Sequence, residues 1–229
     1  MTHPKELIAE VSPVELYTDR LTLREFTCDD VSGVHALLGD NRVTTWLSFD
    51  SRTPDQTDAM MAGILDRQHA EPRMEYYLAV VERDRHDDIV GFARLGLGGV
   101  NAADLGYAIR PERQGYGYGR EAAATMLDFG FHKLGLHRIT ANIGPTNTAS
   151  IQLVRHLGFT HEGTIRDHVF TNGEWRDSES YSLLEHEWTH QPCAHCERRM
   201  LPRKGGRARQ FCSAACRQAA YRERHPVNP

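Results

Sequence analysis

Six residues, Gln114-Gly115-Tyr116-Gly117-Tyr118-Gly119, limit what this chain can fold into more than any other stretch. An alternating, β-rich segment leads into them and a helically periodic segment leaves, so they read as the turn between a strand and a helix. Glycine at every second position removes Cβ atoms, which lets the backbone take φ > 0 and brings its N–H groups close to a ligand. The following helix adds its own unpaired N–H groups and the positive end of its dipole. The result is an anion cradle suited to a phosphate. Two common phosphate loops are excluded, because the glycines are not spaced G-x-G-x-x-G and no Gly-Lys-Ser/Thr follows.

The hydrophobic period around this loop switches repeatedly between two and 3.6. Residues 1–16 show no sustained period and read as a lead-in, after which residues 18–26 alternate as a half-buried strand. Asp29 or Asp30 caps a helix through Leu37 and Leu38 that ends near Gly39, and a second helix spans residues 53–69 with Pro54 in its first turn. Residues 76–81 and 89–97 are β-rich and form a hairpin about a charged turn. Residues 103–110 form the strand that Pro111 ends and that delivers the chain to the glycine loop. Ala123, Met126, Leu127, Phe131 and Leu134 then recur at helical spacing, with Gly135 as the stop. A strand over 137–143, a helix over 147–157 and two strands over 159–168 and 178–188, around Thr171-Asn172-Gly173, complete the chain. The order β, α, α, β, β, β, α, β, α, β, β predicts an α+β fold on a mixed sheet.

Charge and cysteine usage divide the chain. Residues 191–229 hold 9 Lys/Arg and 2 Asp/Glu, leaving 18 basic against 29 acidic residues in the rest, so a tail at +7 follows a body at −11. Cys193, Cys196, Cys212 and Cys216 all lie in this tail, and Cys28 stands apart. No apolar run approaches the ~20 residues of a membrane span and no secretory leader is evident, so the expectation is a cytoplasmic protein without a membrane partner. In that setting paired cysteines read as a metal site rather than a disulfide framework. Two close pairs separated by fifteen residues suit a tetrahedral, structural Zn²⁺. So short a segment, with few large apolar side chains, buries little core unaided, and the metal would supply folding energy. The expected units are a lead-in (1–16), a main domain (17–190) and a zinc module (191–229). With four thiolates and Zn²⁺ the module keeps a charge of about +5, enough to seek nucleic acid or an acidic protein face. It equally reads as a solvated module that docks on the acidic body.

The glycine loop resembles the acyl-CoA loop of the GNAT superfamily of N-acetyltransferases, Gln/Arg-x-x-Gly-x-Gly/Ala, with Gln114, Gly117 and Gly119 at the fixed places. The order of elements is also the order of that family. Leu136-His137-Arg138-Ile139, Asn147-Thr148-Ala149-Ser150 and Leu157-Gly158-Phe159 are similar to its second signature in the RimJ/RimL-like branch. Thr18-Asp19-Arg20-Leu21-Thr22-Leu23-Arg24 is similar to that branch's first strand, and Glu162-Gly163 with Gly173-Glu174-Trp175-Arg176-Asp177 to its last hairpin. The likeness covers about residues 17–188. Phe211-Cys212-Ser213-Ala214-Ala215-Cys216 resembles the second knuckle of small bacterial zinc modules of the YacG type, followed by a basic helix over 217–224.

The resemblance implies acetyl-CoA as co-substrate and direct transfer of its acetyl group to an amine. It implies that the N–H groups of residues 113–120, Gly115, Tyr116 and Tyr118 included, hold the pyrophosphate, with Arg113 and Arg120 as charge partners. The N–H groups of Ala108, Ile109 and Arg110 would polarise the thioester carbonyl. Asp104 stands where similar proteins carry a glutamate and is the candidate base, acting through water. An aspartate at a strand start also fits a turn or cap, and the amine can lose its proton to bulk water. The tyrosine that many members use to protonate the departing thiolate is matched here by Val154. In the RimJ/RimL-like branch a serine is the proposed donor, so Ser150 inherits that role and Asn147 a hydrogen bond to the pantetheine arm; both also fit as helix caps. The histidines, His161 and His168 included, read as bystanders. The implied acceptor is a protein N-terminal amine or a small amine such as an aminoacyl compound or antibiotic. The competing function is a nucleic-acid-binding regulator, in which the zinc module binds the target and the main domain senses acetyl-CoA.

Overall fold

A computed structural model of the chain describes residues 13–189, 191–196, 199–200, 210–211 and 213–224. The elements of the main body are β1 (Glu15–Tyr17), β2 (Leu21–Glu25), α1 (Val31–Leu38), α2 (Asn41–Thr44), α3 (Pro54–Arg67), β3 (Glu75–Glu82), β4 (Arg85–Leu97), β5 (Ala102–Ile109), α4 (Tyr118–His132), β6 (Arg138–Ile143), α5 (Thr148–Leu157), β7 (Thr160–Thr171) and β8 (Glu174–Leu184). The strands form one sheet in the order β1-β2-β3-β4-β5-β6-β8-β7. Its pairs are antiparallel except β5 with β6. That pair is joined through α4, the crossover that a parallel neighbour requires. The mixed sheet and α+β class expected from the sequence are therefore present.

Helices cover both faces, and β3 shows why its apolar run is nearly unbroken. Tyr76, Leu78 and Val80 join the core beneath α4 and α5, whereas Tyr77, Ala79 and Val81 join the core beneath α1 and α3. A strand buried on both faces has no polar alternation to display. The helix ends follow the local chemistry. At α3 the Thr53 hydroxyl accepts from the Gln56 N–H at 3.3 Å, and the Gln56 side chain accepts from the Thr53 N–H at 3.0 Å, a capping box with Pro54 at the first helical position.

The structure departs from the sequence expectations in three places. Glu15 and Leu16 of the expected lead-in join Tyr17 in β1, held by pairing with β2 over Glu15↔Arg24 to Tyr17↔Thr22; residues 1–12 lie outside the described set. A short α2, capped by the Asp40 carboxylate on the Arg42 N–H at 2.8 Å, follows α1. The last hairpin runs on to a two-residue Asn172-Gly173 turn with both φ positive. Its outer half is largely exposed, and there the ladder and the edge-to-face contact of Phe170 with Trp175, ring centroids 5.3 Å apart, extend it. No helix among the described residues is long and apolar enough to cross a membrane.

The feature that positions the site is a split in the sheet. β5 and β6 pair only over Ala102↔Arg138, Ala103↔Ile139 and Asp104↔Thr140. β5 then stays on β4 up to Ile109, and β6 stays on β8 up to Ile143. A notch opens between them. Near its upper end Val90 is an extra residue in β4, since Val80 pairs with Gly91 and Val81 with Ile89. Here β4 and β5 approach so closely that a Cβ on Gly91 would lie 2.1 Å from the Ala108 oxygen. We expect Gly91→Ala to destabilise the fold by about 1–3 kcal/mol, seen as a lower Tm. Gly98→Ala, where an added Cβ meets nothing within 4 Å, serves as the neutral comparison.

Candidate active site

β5 ends at Ile109, the 3₁₀ turn Pro111–Arg113 reverses the chain, and the glycine loop carries it into α4. Gly115 and Gly117 take φ of 81° and 82°, the left-handed region where a side chain would be strained. Gly117 is the N-cap of α4 and offers no capping side chain, so the N–H groups of Tyr118, Gly119 and Arg120 lack an acceptor within the helix. Gly119 lies where a Cβ would sit 3.4–3.6 Å from Leu153, Ile109 and Tyr107. The head of α4 thus carries a short run of amides without intrahelical acceptors, next to a loop that glycine alone adopts without strain.

Its side chains are arranged differently from expectation. Gln114 turns back, its Nε2 donating to the Ile109 carbonyl at 2.9 Å, so its side chain ties the loop to β5 instead of facing the cradle. Arg113 is committed to Glu82 at 3.3 Å and Asp88 at 2.9 Å, which removes it as an open charge partner. Arg120 is exposed. The residue that sequence reading passed over is Arg20. Its Nη1 donates to the Tyr116 carbonyl at 2.8 Å, its Nε and Nη2 reach Glu121 at 2.8 and 2.5 Å, and its guanidinium stacks on the Tyr118 ring at 4.9 Å. Arg20 stands within the segment that resembles a family first strand, but nothing in that segment says it crosses to a loop 96 residues away.

The notch itself has two faces. The Arg110 N–H donates to Val90 at 2.9 Å and is not available to a ligand. Ladder alternation gives the Ala108 N–H to β4 as well. The Ile109 carbonyl points away from β4, toward Gln114, so its N–H faces the open side too. Of the three amides expected to polarise a carbonyl, Ile109 is the one so oriented.

Period-two alternation sends Leu105 and Tyr107 to the α4 side and Asp104 to the α1/α3 side. Asp104 meets Thr140 Oγ1 at 3.4 Å, Asn142 Nδ2 at 3.3 Å and Arg94 Nη1 at 3.8 Å. Desolvation raises its pKa above the ordinary carboxylate value, and Arg94, Thr140 and His168 pull it only part of the way back. His168, set aside as a bystander, therefore lies within electrostatic reach of Asp104. It is placed there by a break in register between Ile165 and Val169 of β7, and it meets Ser178 at 3.0 Å. His161 pairs with Glu179.

On the α4 side, Asn147 Oδ1 accepts from the Ser150 N–H at 3.1 Å and so caps α5. That leaves its amide nitrogen uncommitted by the cap. Val154 is fully buried, so no polar group reaches the notch from that position. Ser150 instead neighbours Tyr107, whose pKa burial pushes up to about 12 and Ser150 draws down slightly. Asp104 and Ser150 are thus not brought together; they stand on opposite faces of the split sheet. Tyr107 escaped sequence reading because it looks like an ordinary aromatic of a β-rich run.

In the tail, β9 (Gln191–Pro192) and β10 (Arg199–Met200) form an antiparallel ribbon, followed by α6 (Ala214–Arg224). The sulfurs of Cys193, Cys196 and Cys216 all lie within 4.8 Å of one another, and Cys193 is buried. Cys212 lies outside the described residues. The Cys196 and Cys216 sulfurs are 3.7 Å apart. Ligands at about 2.3 Å from a tetrahedral Zn²⁺ are separated by about 3.8 Å, a spacing that the Cys196–Cys216 pair meets.

Comparison with known proteins follows the same lines. Residues 20–160 match the acetyltransferase (GNAT) domain family. The chain is 32% identical over 174 residues to the N-acetyltransferase p20 of Bacillus licheniformis, covering 76% of this chain and 97% of that protein. It is 27% identical over 187 residues to the [ribosomal protein uS5]-alanine N-acetyltransferase of Escherichia coli, covering 79% and 96%. In fold it is similar to spermidine N-acetyltransferase from Vibrio cholerae, solved in complex with CoA and spermine, with a TM-score of 0.65, 22% identity and 74% and 98% coverage.

Proposed function

The chain belongs to the GNAT acetyltransferase family and is an acetyl-CoA-dependent N-acetyltransferase, and on that premise we propose that its acceptor is the N-terminal amine of a peptide or protein. The observation that carries this is Arg94, whose guanidinium lies 3.8 Å from Asp104 and is also bonded to Glu75. A peptide N-terminus sets its amine beside a carbonyl oxygen, which a guanidinium can hydrogen-bond. A polyamine would set a second cation against Arg94, and the carboxylates nearby are already paired. Two of the three named proteins divide along this line, one an alanine N-acetyltransferase of ribosomal protein uS5 and the other a spermidine N-acetyltransferase.

In this reading the amides of Gly115 to Arg120 hold the pyrophosphate, and the thioester lies in the notch with its carbonyl oxygen toward the Ile109 N–H. Asp104 takes the amine proton through water, Ser150 gives a proton to the departing sulfur, and Asn147 bonds the pantetheine arm. The division of the sheet supports these roles, since base and acid must act on opposite ends of the bond being exchanged.

Thiol release from acetyl-CoA, measured with a panel of free peptides, their N-acetylated forms and spermidine, tests the acceptor. Turnover with free peptides alone is expected; turnover confined to the polyamine would discard the assignment. Because Asp104 must be ionised to act and its pKa is raised, the acid limb of kcat/KM should lie above the ordinary carboxylate range, with activity lost as pH falls through it. Asp104→Asn should lower kcat/KM by about 10²–10⁴ and remove that limb. An unchanged limb in the variant would take Asp104 out of the role.

We further propose that residues 191–229 form a separate module in which Cys193, Cys196, Cys216 and the remaining tail cysteine, Cys212, bind a structural Zn²⁺. The support is the mutual spacing of three sulfurs on two segments twenty residues apart. Elemental analysis should find about one zinc per chain, lost in Cys196→Ser, while CoA affinity is retained. Protein purified without chelator that carries no zinc would overturn this.

A further inference from the structure

Tyr107 carries a second property that the roles above leave unused. Its hydroxyl oxygen is buried and, among the described residues, makes no hydrogen bond of good geometry, although the Ser150 side chain is near enough to lower its pKa by hydrogen bonding. A buried hydroxyl so poorly partnered is costly and uncommon in folded proteins. The ring is fixed, lying against the first turn of α4, where a Cβ on Gly119 would be 3.6 Å from Tyr107 Cε2, and against the core beneath α4. The hydroxyl cannot swing out to water. It stands on the splayed half of β5, on the face of the notch opposite Asp104, with Ser150 as its polar neighbour. Every other route to this spot is apolar, since Val154 and Leu157 of α5 are buried in the same core.

We propose that Tyr107 is a catalytic residue whose hydroxyl donates a hydrogen bond to the sulfur of CoA, in the thioester and in the thiolate that departs. This rests on the acetyl-CoA reading above and adds a ligand group to it. The hydroxyl acts as a donor that keeps its proton. Its pKa of about 12 exceeds the ~8.5 of an ordinary thiol, so proton transfer to the thiolate runs uphill, whereas a hydrogen bond to developing negative charge does not. No bond to hydrogen is broken at Tyr107, and the proton that ends on sulfur comes from elsewhere. A sulfur at this spot would complete the hydrogen bonding of a hydroxyl that Ser150 reaches only loosely, which makes the site preorganised for sulfur.

Calorimetric titration of wild type and Tyr107→Phe with CoA and with desulfo-CoA, which lacks the sulfur, tests this without any acceptor. The variant keeps the ring and its packing. It should bind CoA about 3- to 10-fold more weakly, the loss of one hydrogen bond, and desulfo-CoA with unchanged affinity. An equal loss for both ligands, or no loss for either, overturns the assignment while leaving the family reading intact. As a second readout, ultraviolet thiolate absorbance should show the thiol of bound CoA ionising at higher pH in Tyr107→Phe than in wild type; identical titrations would count against it. Failure of wild type to bind either ligand would sink the proposal together with the acetyl-CoA reading.

Discussion

Three residue pairs hold β5 to β6, and the site exists because there are not more. Beyond Asp104 and Thr140 each strand keeps its other neighbour, β4 for one and β8 for the other, so the sheet behaves as two half-sheets hinged at one parallel contact. Splitting a ladder leaves backbone donors and acceptors facing a gap, and such groups must find partners. The Ile109 carbonyl finds Gln114. The amides at the head of α4 have no acceptor within the helix, and the buried Tyr107 hydroxyl adds a poorly partnered side-chain donor. A gap lined this way is matched to a ligand that brings acceptors with it.

The charged side chains brace the site more than they fill it. Arg20 is bound to Glu121 and the Tyr116 carbonyl, Arg113 to Glu82 and Asp88, and Arg110 to Asp88 at 3.1 Å and the Gly33 carbonyl at 3.1 Å. Partly exposed ion pairs of this kind add little to stability, ~0–1 kcal/mol each. Their effect is positional, since together they fix the loop between the first strands, the β4 turn and α1. In the proposed reading, anion binding falls mainly to backbone dipoles, which are in place before a ligand arrives. Arg94 and Asp104 make a different pair. There a carboxylate of raised pKa sits beside a guanidinium at the apex of the notch, the pairing on which the proposed acceptor assignment rests.

Much of this was legible in the sequence, for local reasons. The glycine loop follows from its spacing and a helix start, α3 from Pro54 in its first turn, the β3–β4 hairpin from two β-rich runs about a charged turn, and the cysteine cluster from short intervals. What the sequence hid depends on distant pairing. β1 is a strand only because β2 lies beside it. Arg113 reads as a phosphate partner until Glu82 and Asp88 are brought to it, and Arg110 reads as an amide donor until Val90 takes its N–H. His168 reads as a bystander until an irregularity in β7 turns it toward Asp104.

The sequence by itself determined most of the order of elements, the glycine loop at the start of α4 and the likeness to a family, because each is written in intervals of a few residues, where backbone conformation and hydrophobic period are set locally. Only the tertiary structure decided which amides face the notch, which arginines are already spent, and that Asp104 and Tyr107, three residues apart on one strand, serve opposite faces of a divided sheet. Those outcomes depend on where β5 loses its partner, and no local pattern encodes the point at which two strands part.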